Sequence, residues 1–122
     1  MRKKILLVDD SKTVLLMEKM VLHKAPYEVV TASNGEEALA RALEDRPDII
    51  LMDVVMPKMS GFEACRRLRE EAATREVPVI MVTTRGEVEN VEMGYRCGCN
   101  DYITKPIDIK ELLIKLRHHL PN

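Results

Sequence analysis

The sequence predicts an α/β domain in which a five-stranded parallel sheet is covered by helices on both faces. Three observations lead there. Five short runs rich in valine and isoleucine hardly alternate between apolar and polar residues, as expected of strands buried on both sides. Segments with helical spacing separate them, and regular βα alternation gives a doubly wound sheet. Prolines fall between these elements or at their edges, where a missing N–H costs little.

The first strand is KILLV at 4–8, which stops at two adjacent carboxylates, Asp9 and Asp10. The second, EVVTA at 28–32, ends in Ala32 and Ser33 without a charge. Ser33 and Glu36 then have capping-box spacing, and Ala38, Leu39, Ala42 and Leu43 form one apolar helical stripe. DIILM at 48–52 runs into Asp53. Ser60 with Glu63 opens the next helix, whose stripe is Phe62, Cys65, Leu68 and Ala72. VIMVT at 79–83 leads to Thr84. A helix is expected somewhere in 86–97, short or mobile because Gly86 and Gly94 each lower helix propensity by about 1 kcal/mol relative to alanine. YIT at 102–104 precedes Lys105, and Asp108 with Glu111 caps a last helix striped by Ile109, Leu112, Leu113, Leu116 and Leu120. Ile114 lies off that stripe. Pro26, Pro47, Pro57, Pro78 and Pro106 all respect these boundaries.

With 122 residues, 46% of them apolar, the chain can furnish one core, so residues 1–122 read as a single domain. The 19 basic and 20 acidic side chains balance to a net charge of -1, and no basic cluster is interleaved with aromatics. Nucleic acid is therefore not an expected partner of this domain. The opening MRKK is followed by too few apolar residues for a signal-peptide core, and nothing approaches a membrane-spanning length, which points to a cytoplasmic protein. The three cysteines, Cys65, Cys97 and Cys99, lack a second ligand pair at zinc spacing and read as reduced, buried small residues. His23, His118 and His119 read as surface residues.

In a parallel sheet all strand carboxyl ends face one way, and open α/β folds bind ligands beyond those ends. That edge collects Asp9, Asp10, Asp53, Thr83, Thr84 and Lys105. Should the first and third strands be neighbours, three carboxylates converge, and two charges about 4 Å apart repel by about 4 kcal/mol at an effective dielectric near 20. Proton uptake or a hard cation must offset this. Magnesium fits better, because it accepts one or two carboxylates together with water and a phosphoryl oxygen. Two adjacent aspartates alone are ordinary turn or cap residues, and Lys105 could simply pair with Asp10 or Asp53. Their force comes from sharing one edge. A carboxylate there can act as a nucleophile toward a phosphoryl group. Asp53 would attack, Asp9 and Asp10 would hold magnesium, and Lys105 and the Thr83 hydroxyl would bind phosphoryl oxygens.

At these residues the sequence resembles the receiver domain of bacterial two-component response regulators, the CheY-like family. The motifs are LLVDDS at 6–11, NGEEAL at 34–39, DIILMDVVMPKMSGFE at 48–63, VPVIMVTT at 77–84 and DYITKPI at 101–107, in family order along essentially the whole chain. The resemblance implies a flavodoxin-like (βα)5 fold with strand order 2-1-3-4-5. It also implies that Asp53 is the phosphoacceptor, that Asp10 and Asp53 bind Mg2+ directly, and that Asp9 does so through water. The Val55 backbone carbonyl would be a further ligand, Lys105 and Thr83 the phosphate contacts, and the Lys105–Pro106 peptide cis. Tyr102 matches the aromatic switch position, whose ring is coupled to movement of Thr83. The bland alternative is a strand tyrosine with its hydroxyl at the surface.

Several positions depart from the family pattern. Thr84 stands where alanine or glycine is usual and is expected to slow turnover at Asp53. Val55 and Arg85 occupy positions that tune dephosphorylation, and an apolar Val55 cannot orient water. Cys97 and Cys99 stand where alanines are common, a small-for-small change read as packing.

The resemblance implies a switch more than an enzyme, phosphorylated by a histidine kinase or phosphotransfer protein and acting on a downstream target or output domain. It leaves open a phosphorylation-dependent dimer, and nothing suggests a membrane. One competing reading is a pseudo-receiver used only as an interaction module, but such domains commonly lose an acidic or lysine position that is kept here. Another is a phosphohydrolase, which would need a second acid where Val55 stands. The chain ends in HHLPN just after the last helix, as a stand-alone regulator or a piece of something longer.

Overall fold

Each apolar run forms a strand: β1 (Lys4–Val8), β2 (Glu28–Ala32), β3 (Ile49–Asp53), β4 (Val79–Thr84) and β5 (Asp101–Lys105). Between and after them lie helices α1 (Lys12–Lys24), α2 (Gly35–Asp45), α3 (Gly61–Glu70) and α4 (Ile109–His119). The computed structural model describes residues 2–25, 27–84, 92, 93 and 95–120. The helix expected in 86–97 falls largely outside the described residues, as do Pro26, Arg85 and the side chain of Thr84.

All strand pairs are parallel, in the order β2-β1-β3-β4-β5. The scarcity of alternation in the strands is explained by two apolar clusters, one per face. Leu6, Val8, Ile50, Met52, Val79 and Met81 pack against Ala38, Ala42, Ala64, Cys65 and Leu68 of α2 and α3. The alternate residues Ile5, Leu7, Ile49, Leu51, Ile80 and Val82 pack against Leu15, Leu22, Leu112 and Leu116 of α1 and α4. Successive side chains point to opposite faces, so a strand covered on both must be apolar throughout.

Helix boundaries follow local chemistry, with corrections. Ser60 and Asp108 cap α3 and α4 as expected, accepting from the N–H groups of Glu63 and Glu111. For α2 the cap is Asn34, one residue beyond Ser33; its side chain accepts from Glu37 N at 2.8 Å, and the Ser33 hydroxyl bonds the Glu37 carboxylate. Helix α3 ends at Glu70, so Ala72 lies outside it and is exposed, and the inward face is Ala64, Cys65 and Leu68. Leu43 and Ile109 are exposed although they belong to apolar stripes, and Ile114 is exposed as its off-stripe position suggests. Cys65 and Cys99 are buried thiols and Cys97 is half-buried. His23 and His118 are exposed, but His119 is half-buried and bonds Asp101 at 2.8 Å. Lys115 reaches the same carboxylate at 2.9 Å, so Asp101 fastens α4 to β5. Burial pushes the Asp101 carboxyl up, but bonds from His119 and Lys115 outweigh it and hold the group below its ordinary range.

At the amino end of the sheet, Arg69 of α3 binds two loops at once. Its guanidinium donates to the carbonyls of Thr74, Arg75 and Val77 on one side and to Gly98 O and Asn100 Oδ1 on the other. Asn100 Oδ1 also accepts from Val79 N at 2.9 Å, which sets the start of β4. We expect Arg69→Ala to lower stability by about 2 kcal/mol in urea denaturation, with Arg69→Lys recovering little because an ammonium cannot reproduce the fork.

Candidate functional site

β1 lies between β2 and β3, and the strand order reverses there, which opens a crevice at the carboxyl edge. Val8 is in register with Met52, so Asp9 and Asp53 emerge side by side. Asp9 is fixed twice: its N–H bonds Ala32 O at 3.1 Å, and its Oδ1 accepts from Ser11 N at 2.9 Å. Ser11 in turn caps α1. Asp9 and Asp53 are buried while Asp10 is exposed, and one carboxylate oxygen from each lies within 4.8 Å of the others.

Lys105, at the end of β5, projects into this cluster, and its peptide bond to Pro106 is cis, as the resemblance implied. Its ammonium lies 3.2 Å from Asp9 Oδ2 and 3.4 Å from Asp53 Oδ1. A plain structural lysine at this edge is expected to pair with Asp10 or Asp53. The observed pair is Asp9 and Asp53, and Asp10 has no ion pair among the described residues.

Thr83 is buried near the end of β4, one residue past Val82, the register partner of Asp53. Tyr102 is buried in the α2–α3 side of the core, with the Tyr95 ring 5.5 Å from its own at 59°. The Val55 side chain is 68% exposed just beyond Asp53.

Two residues of the site escaped the sequence reading. One is Gly61, whose N–H bonds Val54 O at 2.9 Å and so folds the segment after Asp53 back onto α3. A Cβ on Gly61 would stand 2.2 Å from the Asp53 carbonyl oxygen. The other is Glu18, buried in α1 on the same face as Leu15 and Leu22. That 3-and-4 spacing marks position 18 as inward-facing and was a signal available in the sequence.

The electrostatics follow from crowding. Burial first, then the charge of Asp9, push the Asp53 carboxyl up to about 6, with Lys105 pulling the other way. Burial and Asp9 likewise push Glu18 up to about 7. Burial alone would lower the Lys105 ammonium, but Asp53 and Asp9 win and hold it above its ordinary range. Three hard oxygen donors, one of them exposed and without an ion pair among the described residues, with a net negative charge, suit a hard divalent cation such as magnesium.

Comparison with known proteins gives the same picture. The family model of the response regulator receiver domain matches residues 5–117. Protein PilH of Pseudomonas aeruginosa is 43% identical over 90% of this chain and 91% of its own length. The chain spans only 46–50% of other curated relatives, which are longer proteins. Among solved structures, chemotaxis protein CheY4 of Vibrio cholerae is 38% identical with a TM-score of 0.93, covering 98% of this chain and 100% of its own. The receiver domain of a sensor histidine kinase of Pseudomonas aeruginosa, solved with a magnesium ion coordinated in its active-site cleft, is 31% identical with a TM-score of 0.90 and covers 98% of each chain. Among the described residues no helix is long and apolar enough to cross a membrane. From the matched motifs, the sheet order and these relatives, the chain belongs to the response regulator receiver domain family, the CheY-like receivers of two-component signalling.

Proposed function

We propose that residues 1–122 act as one cytoplasmic receiver module that takes a phosphoryl group onto Asp53 from a histidine kinase or phosphotransfer protein and thereby changes its hold on a downstream target or output domain. The observation that carries this reading is the Lys105 ammonium shared between Asp9 and Asp53, two of the three clustered carboxylates. A stable salt bridge needs one carboxylate; here further negative charge is crowded around the pair, which suits a site awaiting a cation and a phosphoryl group.

In this mechanism an Asp53 carboxylate oxygen attacks the phosphorus of a phosphohistidine in line with the P–N bond. The O–P bond forms, the P–N bond breaks, and its electron pair returns to the imidazole. Lys105 contacts one phosphoryl oxygen and the Thr83 hydroxyl donates to another. Asp10 and Asp53, Asp9 through water, and the Val55 carbonyl would hold Mg2+, whose role is to neutralise the charge gathering on the phosphoryl oxygens. The related kinase receiver, solved with a magnesium ion coordinated in its active-site cleft, supports a magnesium ion in this chain. Thr83 and Tyr102 form the switch pair: Thr83 moves toward the phosphoryl group, and the Tyr102 ring answers with a change in packing worth a few kcal/mol.

The direct test is labelling by acetyl phosphate. Wild type is expected to be labelled only with Mg2+ present, and Asp53→Asn not at all; equal labelling of the variant would end the proposal. The label should also be long-lived, since Val55 exposes an apolar side chain where an amide could orient water. Val55→Asn is expected to shorten its half-life about tenfold, a barrier change of about 1.4 kcal/mol, as read from loss of label after donor removal.

A further inference from the structure

A groove of about 260 Å³ runs between α1 and the segment leading from Lys105 into α4. Val14 and Val21 line one side, Ile107 and Leu112 the other, and its surface is almost wholly apolar. The exception is Glu18, which lines the groove, is only 8% exposed, and has neither a hydrogen bond nor an ion pair among the described residues. Lys105 also borders the groove, but its ammonium is engaged by Asp9 and Asp53. The Lys105 ammonium steadies the Glu18 carboxylate from a distance but donates no hydrogen bond to it, so its oxygens are left to the groove.

We propose that this groove binds a small amphiphilic cation: a primary amine on an aliphatic or aromatic body of about six to eight carbons, its ammonium on Glu18 and its body against the apolar walls. The volume agrees, since about 150 Å³ holds a benzene molecule and this groove has room for a ring with a short tail. The charge agrees as well: Lys105 is the one ammonium lining the groove and is engaged by Asp9 and Asp53, so the Glu18 carboxylate draws in a cation and repels an anion of equal size. The site does not depend on phosphorylation of Asp53, and the two can be tested separately.

The test is an amide chemical-shift titration of the whole chain, in chelator and above neutral pH, with phenethylamine, phenethyl alcohol and hydrocinnamate. Saturable shifts at Val14, Glu18, Val21, Ile107 and Leu112 are expected with phenethylamine, and hydrocinnamate should bind at least about tenfold more weakly. Glu18→Gln should weaken the amine about tenfold and leave phenethyl alcohol unchanged, and Glu18→Leu should lose the same preference. Absence of saturable groove shifts with the amine, equal binding of amine and carboxylate, or undiminished amine binding by Glu18→Gln would overturn the proposal.

Discussion

Gly61→Ala is expected to destabilise the domain by about 3 kcal/mol or more and to disturb the site, although the residue carries no side chain to contribute. The added Cβ would lie 2.2 Å from the Asp53 carbonyl oxygen and 3.1 Å from Met52 Cγ. The first of these contacts is with backbone in a central strand, which cannot turn aside as a side chain can. Relief must come from moving α3 outward, and that breaks the bond from Gly61 N to Val54 O. The segment beyond Asp53, which carries Val54 and Val55, would move with it. Urea denaturation measures the first effect. Magnesium affinity, followed by chemical shifts of Asp53 and its neighbours, measures the second. An alanine variant with unchanged stability would show that the close approach has slack.

Glu18→Gln has the opposite sign: it is expected to stabilise the metal-free protein by about 3 kcal/mol above neutral pH. Burial and Asp9 raise the Glu18 carboxyl from 4.5 to about 7. Between these values the folded state holds a proton that the unfolded state has lost, so stability falls as pH rises across the window and levels off above it. Asp53 acts in the same direction between 3.8 and about 6. The wild-type protein in chelator should therefore lose stability from about pH 4 to pH 7. Glu18→Gln should remove the upper part of that decline and leave the part due to Asp53. Urea midpoints across this range decide the matter, and a flat profile in the wild type would mean that the carboxylates are better served than their surroundings suggest.

The strands were legible because burial on both faces forces every residue to be apolar, which leaves a continuous run in one dimension. The carboxyl-edge residues were legible for a related reason: in a parallel sheet, position just past a strand is also position in space. Caps were readable to within a residue. Ser60 and Asp108 were placed correctly, whereas Asn34 takes the role expected of Ser33 because either side chain can accept from the first turn and Glu37 is positioned for Asn34. Apolar stripes overstated burial at their ends, as Leu43 and Ile109 show, since a stripe continues past the element that covers it. What stayed hidden was long-range. The choice of Asp9 over Asp10 by Lys105 spans 96 positions, and Arg69 bonds loops that meet only in the folded chain. Glu18 was half legible, its inward spacing visible but the absence of a hydrogen-bond donor to it among the described residues a property of the assembled core.

The central claim is that the Asp53 carboxylate accepts the phosphoryl group, and position can be read chemically. The protein is treated with acetyl phosphate and Mg2+, the acyl phosphate is reduced with borohydride, and the digest is mapped by mass spectrometry. Conversion of Asp53 to homoserine, with Asp9, Asp10 and Glu18 untouched, is the expected result. Reduction at any of those three residues in its place, or at none despite bound magnesium, would contradict phosphoryl transfer to position 53.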